Sequence, residues 1–200
     1  MKNIKKINIK KDNACLYRTL SYLLYYNSQL KDYKTIIRKG IHINWALNKQ
    51  LISIKSYNSN DLPKLLQKTI INWIYMNSEQ YIDEIGYKVF DLLVDTHYPE
   101  LLEKSSIVSN RRLFRKNILA KYKDRYSSFA GDSTIEHDYI GDRWGGTLEL
   151  YAFSKIFDIC IHVYELDNSK EYKRILQLGS NKKLVFNLLY SENHYDCLIT

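Results

Sequence analysis

Apolar residues recur at helical spacing over much of the first three quarters of the chain, then give way to short β-branched and aromatic runs. Leu16, Leu20, Leu23 and Leu24 follow Cys15 on one helix face, and the pattern fades at Asn27-Ser28. Asp61-Leu62-Pro63 reads as an N-cap with proline at the helix start, and Leu65, Leu66, Ile70, Trp73 and Ile74 continue the stripe. Val89, Phe90, Leu93 and Val94 predict another helix, stopped near Pro99. Leu113, Phe114, Ile118 and Leu119 mark an apolar stripe on an otherwise basic helix from Arg111 to Arg125. Gly145-Gly146 opens a helix from Thr147 to Phe157, with Leu148, Tyr151, Ala152 and Ile156 as its buried face.

The last quarter reads as strands: Ile159 to Tyr164, Lys183 to Tyr190 and Tyr195 to Thr200. The final two are expected to form a hairpin with a loop of about three to five residues around Ser191-Glu192-Asn193. Helices early and strands late predict an α+β (mixed α/β) single domain over residues 1–200. No repeat or flexible linker interrupts it, and Lys39 to Asn60 carries no readable pattern.

An apolar share of 45% with only 7 Gly and 2 Pro excludes collagen-like, coiled-coil and disordered classes. Three cysteines, an odd count, make no disulfide framework and suggest free thiols in a reducing compartment. The N-terminus is basic without an apolar signal core, and no 18-residue apolar run occurs, so a cytoplasmic protein without a membrane partner is expected. A net charge of +8 invites nucleic acid as a partner. Yet Lys, Ile, Asn and Tyr, all with A/T-rich codons, make up 79 of 200 residues, so genome composition accounts for much of the lysine and nucleic acid is not expected.

Two sites carry chemistry. Cys15 stands where the polar turn Asp12-Asn13-Ala14 enters a helix. The helix dipole there favours a thiolate, lowering the thiol below its free value of about 8.5, and free N–H groups suit an oxyanion. Burial as a small apolar residue is the competing reading. In His194-Tyr195-Asp196 the histidine and aspartate share one strand face, so the carboxylate can hold one ring nitrogen while the other faces a nucleophile. An exposed histidine beside an unrelated aspartate remains the alternative.

Other groups offer less. Cys160 and His162 lack the third and fourth ligands a metal needs, and Cys197 is assigned to the core. His42, His97 and His137 are read as surface or loop residues. No GxxxxGK[ST] or GxGxxG motif supports a nucleotide, so no cofactor or metal is expected. The basic run from Arg111 to Arg125 is either a solvated face or a phosphate contact, and the acids from Asp132 to Asp142 are either a polar loop or a lip for a basic peptide.

Three segments, in order, resemble the ovarian-tumour (OTU) domain cysteine proteases. Asp12-Asn13-Ala14-Cys15-Leu16-Tyr17-Arg18-Thr19-Leu20 resembles the family's Asp-Gly-Asn-Cys-Leu-Phe-Arg-Ala signature. Trp144-Gly145-Gly146-Thr147-Leu148-Glu149-Leu150 with Ile161-His162-Val163-Tyr164-Glu165 is similar to its Trp-Gly-Gly-x-x-Glu-Leu helix and following strand. His194-Tyr195-Asp196 is similar to its terminal His-Tyr-Asp/Asn, and Lys68 to Tyr81 to the helix after the catalytic one. The likeness spans 12–200, with 31–60 a candidate insertion.

The resemblance implies a papain-like domain, a small central sheet flanked by helices, that hydrolyses bonds after the terminal glycine of ubiquitin, polyubiquitin or a ubiquitin-like modifier. Cys15 would be nucleophile, His194 base, Asp196 orienter and Asp12 a shaper of the oxyanion loop Asn13-Ala14. Asn13 replaces the family glycine and is expected to supply its left-handed conformation. Ala14 replaces a polar residue, losing a side-chain donor while keeping its N–H. Trp144 and Glu149 would support the site, and Asp138 and Asp142 would grip the modifier's arginine-bearing tail. A monomer is expected, in a host cytosol if the source is a virus or bacterial effector. The alternative is a catalytically weak or inactive OTU-like module that binds ubiquitin or RNA.

Overall fold

In chain order the elements are strand β1 (Lys5–Ile7), helix α1 (Cys15–Ser28), helix α2 (Asp61–Met76) and the short strands β2 (Tyr81–Ile82) and β3 (Tyr87–Lys88). Helix α3 (Val89–His97), a 3₁₀ turn (Pro99–Leu101), α4 (Arg111–Arg125) and α5 (Thr147–Phe157) follow. Strands β4 (Cys160–Leu166), β5 (Tyr172–Leu178), β6 (Val185–Ser191) and β7 (His194–Ile199) complete the chain. The structure is a computed structural model and describes residues 4–28, 60–101, 110–127, 130 and 145–199. Nearly all of the candidate insertion lies outside the described residues, as does Thr200.

Five strands form one sheet in the order β1-β7-β6-β4-β5, in which only β4 and β6 run parallel. Tight turns join β4 to β5 and β6 to β7. In the first, Asp167 Oδ1 accepts from the N–H groups of Ser169 and Glu171, at 2.9 Å each. To enter β6 the chain passes the start of β4. Gly179 makes that passage at φ +77°, and a Cβ there would lie 2.4 Å from Ser154 Oγ and 2.5 Å from the Ile159 carbonyl oxygen.

Alternation divides the sheet faces. Ile161 and Val163 of β4, Phe186 and Leu188 of β6 and Cys197 of β7 point into the main core beneath α1, α2 and α5. Tyr164, Leu189 and Leu198 form a smaller cluster with Ile4 and Tyr172. Helix α1 packs on β7 and α2, and α2 packs on α5. Surrounded this way, α5 buries Leu148 to Ser154, Ile156 and Phe157, far beyond the single stripe the sequence suggests. This is an α+β arrangement with a mixed central sheet, as expected from the sequence.

Several local expectations shift. The α2 N-cap is Asn60, so Pro63 is the third helical residue, where an N–H is still outside the helical ladder and none is missed. The β6–β7 loop has two residues, Glu192 (φ 49°) and Asn193 (φ 62°), because Ser191 and His194 pair. Two left-handed residues match the primed turn whose twist suits a hairpin. Strands β1 and β5 escape the sequence pattern, being a lysine-rich edge and a largely exposed edge. On α4 Ile118 and Leu119 face inward as expected, but Leu113 is 52% exposed and the unexpected Tyr122 joins the buried face.

Gly179→Ala is expected to cost about 2 kcal/mol or more, from left-handed strain plus overlap with backbone. That corresponds to a melting temperature about 4–8 °C lower. Circular dichroism melting checks it.

Candidate active site

The turn before α1 is organised by Asp12. Its Oδ1 accepts from the Ala14 N–H at 3.0 Å, and its carbonyl accepts from the Cys15 N–H at 3.1 Å. Arg18, one helical turn on, grips the carboxylate through Nε and Nη2, each 2.9 Å from Oδ2. Arg18 Nη1 also donates to Asn60 Oδ1 at 2.8 Å, tying the turn to the start of α2. Arg18 was visible in the sequence only as a motif letter; its work is to hold Asp12. Asn13 is not among the residues with positive φ, so it supplies no left-handed turn and the glycine-to-asparagine replacement carries no strain. The Ala14 N–H reserved for an oxyanion is engaged by Asp12 in this arrangement.

Cys15 opens α1 and is 6% exposed. Burial pushes its thiol up to about 11, with the charges of Asp12 and Asp196 adding to the rise, while backbone hydrogen bonds from Tyr195 and Leu16 oppose it. Desolvation therefore outweighs the helix-start effect that predicted a lowered value. The Tyr195 hydrogen bond also locates the sulfur: it lies against the backbone between His194 and Asp196. Helix α1 is pinned on β7 by Thr19 Oγ1, which donates to the Tyr195 carbonyl at 2.9 Å.

His194 and Asp196 occupy one face of β7, with Nε2 and Oδ1 3.0 Å apart and both residues buried. Nδ1 is left as the nitrogen for a reacting group. Asp196 is held by residues that belong to none of the motifs. The Ile9 N–H donates to Oδ1 at 2.8 Å, and Lys6 Nζ is 2.9 Å from Oδ2. Burial would raise the Asp196 carboxyl, but Ile9, Lys6 and His194 more than offset it and hold the group below its usual value. Lys6 belongs to the lysine excess attributed to genome composition. Its position on β1, opposite Leu198 of β7, gives it this role.

A second buried network lies at the start of α5. Glu149, with no solvent exposure, accepts from the Tyr122 hydroxyl at 2.6 Å and from the Gly146 N–H at 2.7 Å, and lies 3.1 Å from His97 Nε2. Burial alone would raise its carboxyl, yet the His97 charge and these hydrogen bonds lower it. His97 is thus a core residue rather than a surface one. It continues the Val89-Leu93 stripe by one more step of four, a signal present in the sequence. Next to this cap, a Cβ on Gly145 would sit 2.3 Å from Leu16 Cδ2, so the start of α5 abuts the residue after Cys15.

Among the described residues no cluster of three or more metal-binding side chains occurs. Cys160 and His162 approach to 3.4 Å on β4, and Cys197 is fully buried with its sulfur 3.6 Å from the Thr19 carbonyl. Trp144, Asp138 and Asp142 lie outside the described residues.

No protein-family model matches the chain, and no curated protein sequence matches it. Among solved structures, the viral OTU domain protease from Farallon virus superposes with a TM-score of 0.57 at 12% identity, covering 98% of this chain and 83% of that one. The Hazara virus OTU bound to ubiquitin gives 0.46 at 16% identity, with coverages of 98% and 80%. An OTU deubiquitinase from Wolbachia pipientis bound to ubiquitin gives 0.46 at 8%, with coverages of 100% and 97%. Only the first is close enough to argue from, and it establishes the fold: this chain has an OTU-type fold.

With a thiol raised to about 11, alkylation of Cys15 by iodoacetamide is expected to accelerate by close to tenfold per pH unit from neutrality to about pH 10. Rates read by intact mass check this; a plateau near pH 8 would show an unperturbed thiol. Glu149→Gln tests the second network. A carboxyl lowered on folding contributes stability that is complete above the unfolded value of about 4.3 and lost as pH falls through the folded one. The stability gap between native protein and variant is therefore expected to narrow on acidification below about pH 4.

Proposed function

We propose that the chain is a thiol hydrolase that cleaves ubiquitin or a ubiquitin-like modifier from conjugates, using Cys15, His194 and Asp196. The observation that carries this reading is the hydrogen bond between the Cys15 sulfur and the Tyr195 backbone, on the strand whose His194 and Asp196 pair at 3.0 Å. The OTU-type fold supports the choice of a protease, since the Farallon virus protein of that fold is described as a viral OTU domain protease, and the resemblance of the Cys15 and His194 motifs supports ubiquitin or a relative as substrate.

With its thiol protonated at neutral pH, Cys15 does not wait as a free thiolate. The sulfur attacks the carbonyl carbon of the modifier's terminal glycine as its proton passes to His194 Nδ1. The tetrahedral intermediate collapses, the C–N bond breaks, and Nδ1 returns the proton to the departing lysine amine. Water then adds to the thioester with His194 as base, releasing the modifier's carboxylate and restoring the thiol. Asp196 stays ionised throughout, keeping Nε2 protonated and the ring in register. The Ala14 and Cys15 N–H groups are both occupied by Asp12, so the oxyanion is met only when this turn yields one of them. Asp138 and Asp142 are assigned to the arginines of the modifier's tail on charge complementarity.

Ubiquitin bearing a C-terminal thiol-reactive electrophile is the direct test. A covalent adduct that disappears in Cys15→Ala supports the hydrolase, whereas no adduct with any ubiquitin-like probe leaves a non-catalytic module. Asp196→Asn is expected to lower kcat by about 10²–10⁴ with the fold intact, by analogy with other carboxylate-oriented histidines. Reversing Asp138 and Asp142 to lysine is expected to raise KM; unchanged cleavage would remove them from the substrate site.

A further inference from the structure

Helix α4 has a charge distribution that genome composition does not explain. Arginine is scarce, with 8 in the chain, yet Arg111, Arg112 and Arg115 fall within five consecutive positions. A bias toward A/T-rich codons supplies lysine rather than arginine, so this cluster runs against the bias. It also runs against the helix dipole. The first turn of α4 holds no acidic residue, and cations beside free N–H groups oppose the helix's positive end. Asn110 supplies the local compensation by capping the Leu113 N–H at 3.0 Å.

The two halves of the helix use their cations differently. Toward the C-terminal end Lys121 sits 5.2 Å over the Tyr98 ring and Lys123 5.1 Å over the Tyr75 ring, so both pack on the protein's own surface. Near the start Arg115 is paired with Glu79. Among the described residues no acid pairs with Arg111, Arg112 or Lys116, all of which are exposed. Between the last two, Leu113 presents its side chain to solvent at 52% exposure. Hollows of about 350 Å³ flank this turn on each side. One is lined by Phe90 and Phe114, meeting edge to face with centroids 6.5 Å apart, together with Arg111 and Arg115. The other is lined by Arg112, Leu113 and Lys116.

We propose that the first two turns of α4 are a docking surface for an acidic segment of a partner protein, anchored by an apolar side chain. Arginine forks pair with carboxylates through two parallel hydrogen bonds, and the Phe-lined hollow beside them accepts an aliphatic or aromatic anchor. A nucleic-acid strand fits less well. The exposed Leu113 and the hollow lined by Phe90 and Phe114 have no counterpart in a polyanionic backbone, and Glu79 and Asp91 reserve that hollow for an uncharged anchor while the acidic residues meet the arginines beside it. The surface shares no residue with the Cys15–His194–Asp196 site, and its charge preference is opposite to that of the acidic stretch assigned to a basic tail.

Panning a phage-displayed random peptide library on the full chain tests this. Peptides with Asp and Glu around a Leu or Phe are expected to be enriched. A synthetic peptide of that kind is expected to bind at least about tenfold more weakly to the double variant Arg112→Glu, Lys116→Glu. The same variant is expected to melt at the same temperature or higher, because it removes cations from a helix start, so lost binding is not lost folding. Arg111→Lys with Arg112→Lys keeps the charge and is expected to lose part of the affinity with the fork. Absence of acidic enrichment, or charge reversal that changes affinity less than about twofold, overturns the proposal. Oligouridine binding more tightly than the selected peptide, with a steep salt dependence, overturns it in favour of RNA.

Discussion

A carboxylate with no solvent exposure stays ionised only if its lone pairs are met, and Glu149 meets that condition with groups from three helices. His97 comes from α3, Tyr122 from α4 and the Gly146 N–H from the start of α5. Satisfying one buried charge thus fixes how three helices stand relative to one another. It also sets the entry of α5, where Gly145 packs on Leu16 closely enough that no side chain fits between them. Leu16 follows Cys15, so the placement of the candidate nucleophile depends, through two steps of packing, on a buried acid that never touches it.

Asp196 is the counterpart on the sheet. Its carboxylate is satisfied by the Ile9 N–H, Lys6 and His194, which belong to the N-terminal segment and to β7. Edge strand β1 is only three residues long, yet it completes the environment that keeps Asp196 charged. Asp12 repeats the pattern in front of α1, where Arg18 closes on the carboxylate that shapes the turn. Each acid of the site region is thereby committed to fixed partners. The thiol has no cationic group among the causes that set its value, and burial leaves it protonated.

The legible features were those written in contiguous residues. The helix after Cys15, its end near Asn27-Ser28, the helix opened by Gly145-Gly146 and the shared face of His194 and Asp196 all follow from period and turn chemistry. Tyr122 and His97 were half legible. Each continues an apolar stripe at a helical step, but nothing local says that the two converge on Glu149. Strand β5 was illegible because its edge position lets Lys173, Arg174 and Gln177 replace the apolar residues a strand is recognised by. Lys6 was illegible for a compositional reason, being one lysine among many until pairing with β7 set it beside Asp196.

By itself the sequence determined the main helices, the strands β4, β6 and β7 and the resemblance that groups Cys15, His194 and Asp196 as candidates, because periodicity and short motifs act within a few residues. Only the tertiary structure decided the electrostatics. Desolvation and long-range partners are properties of the packed interior. They turned an expected low-pKa thiol into a protonated one at about 11, and two buried carboxyls into groups held below their usual values.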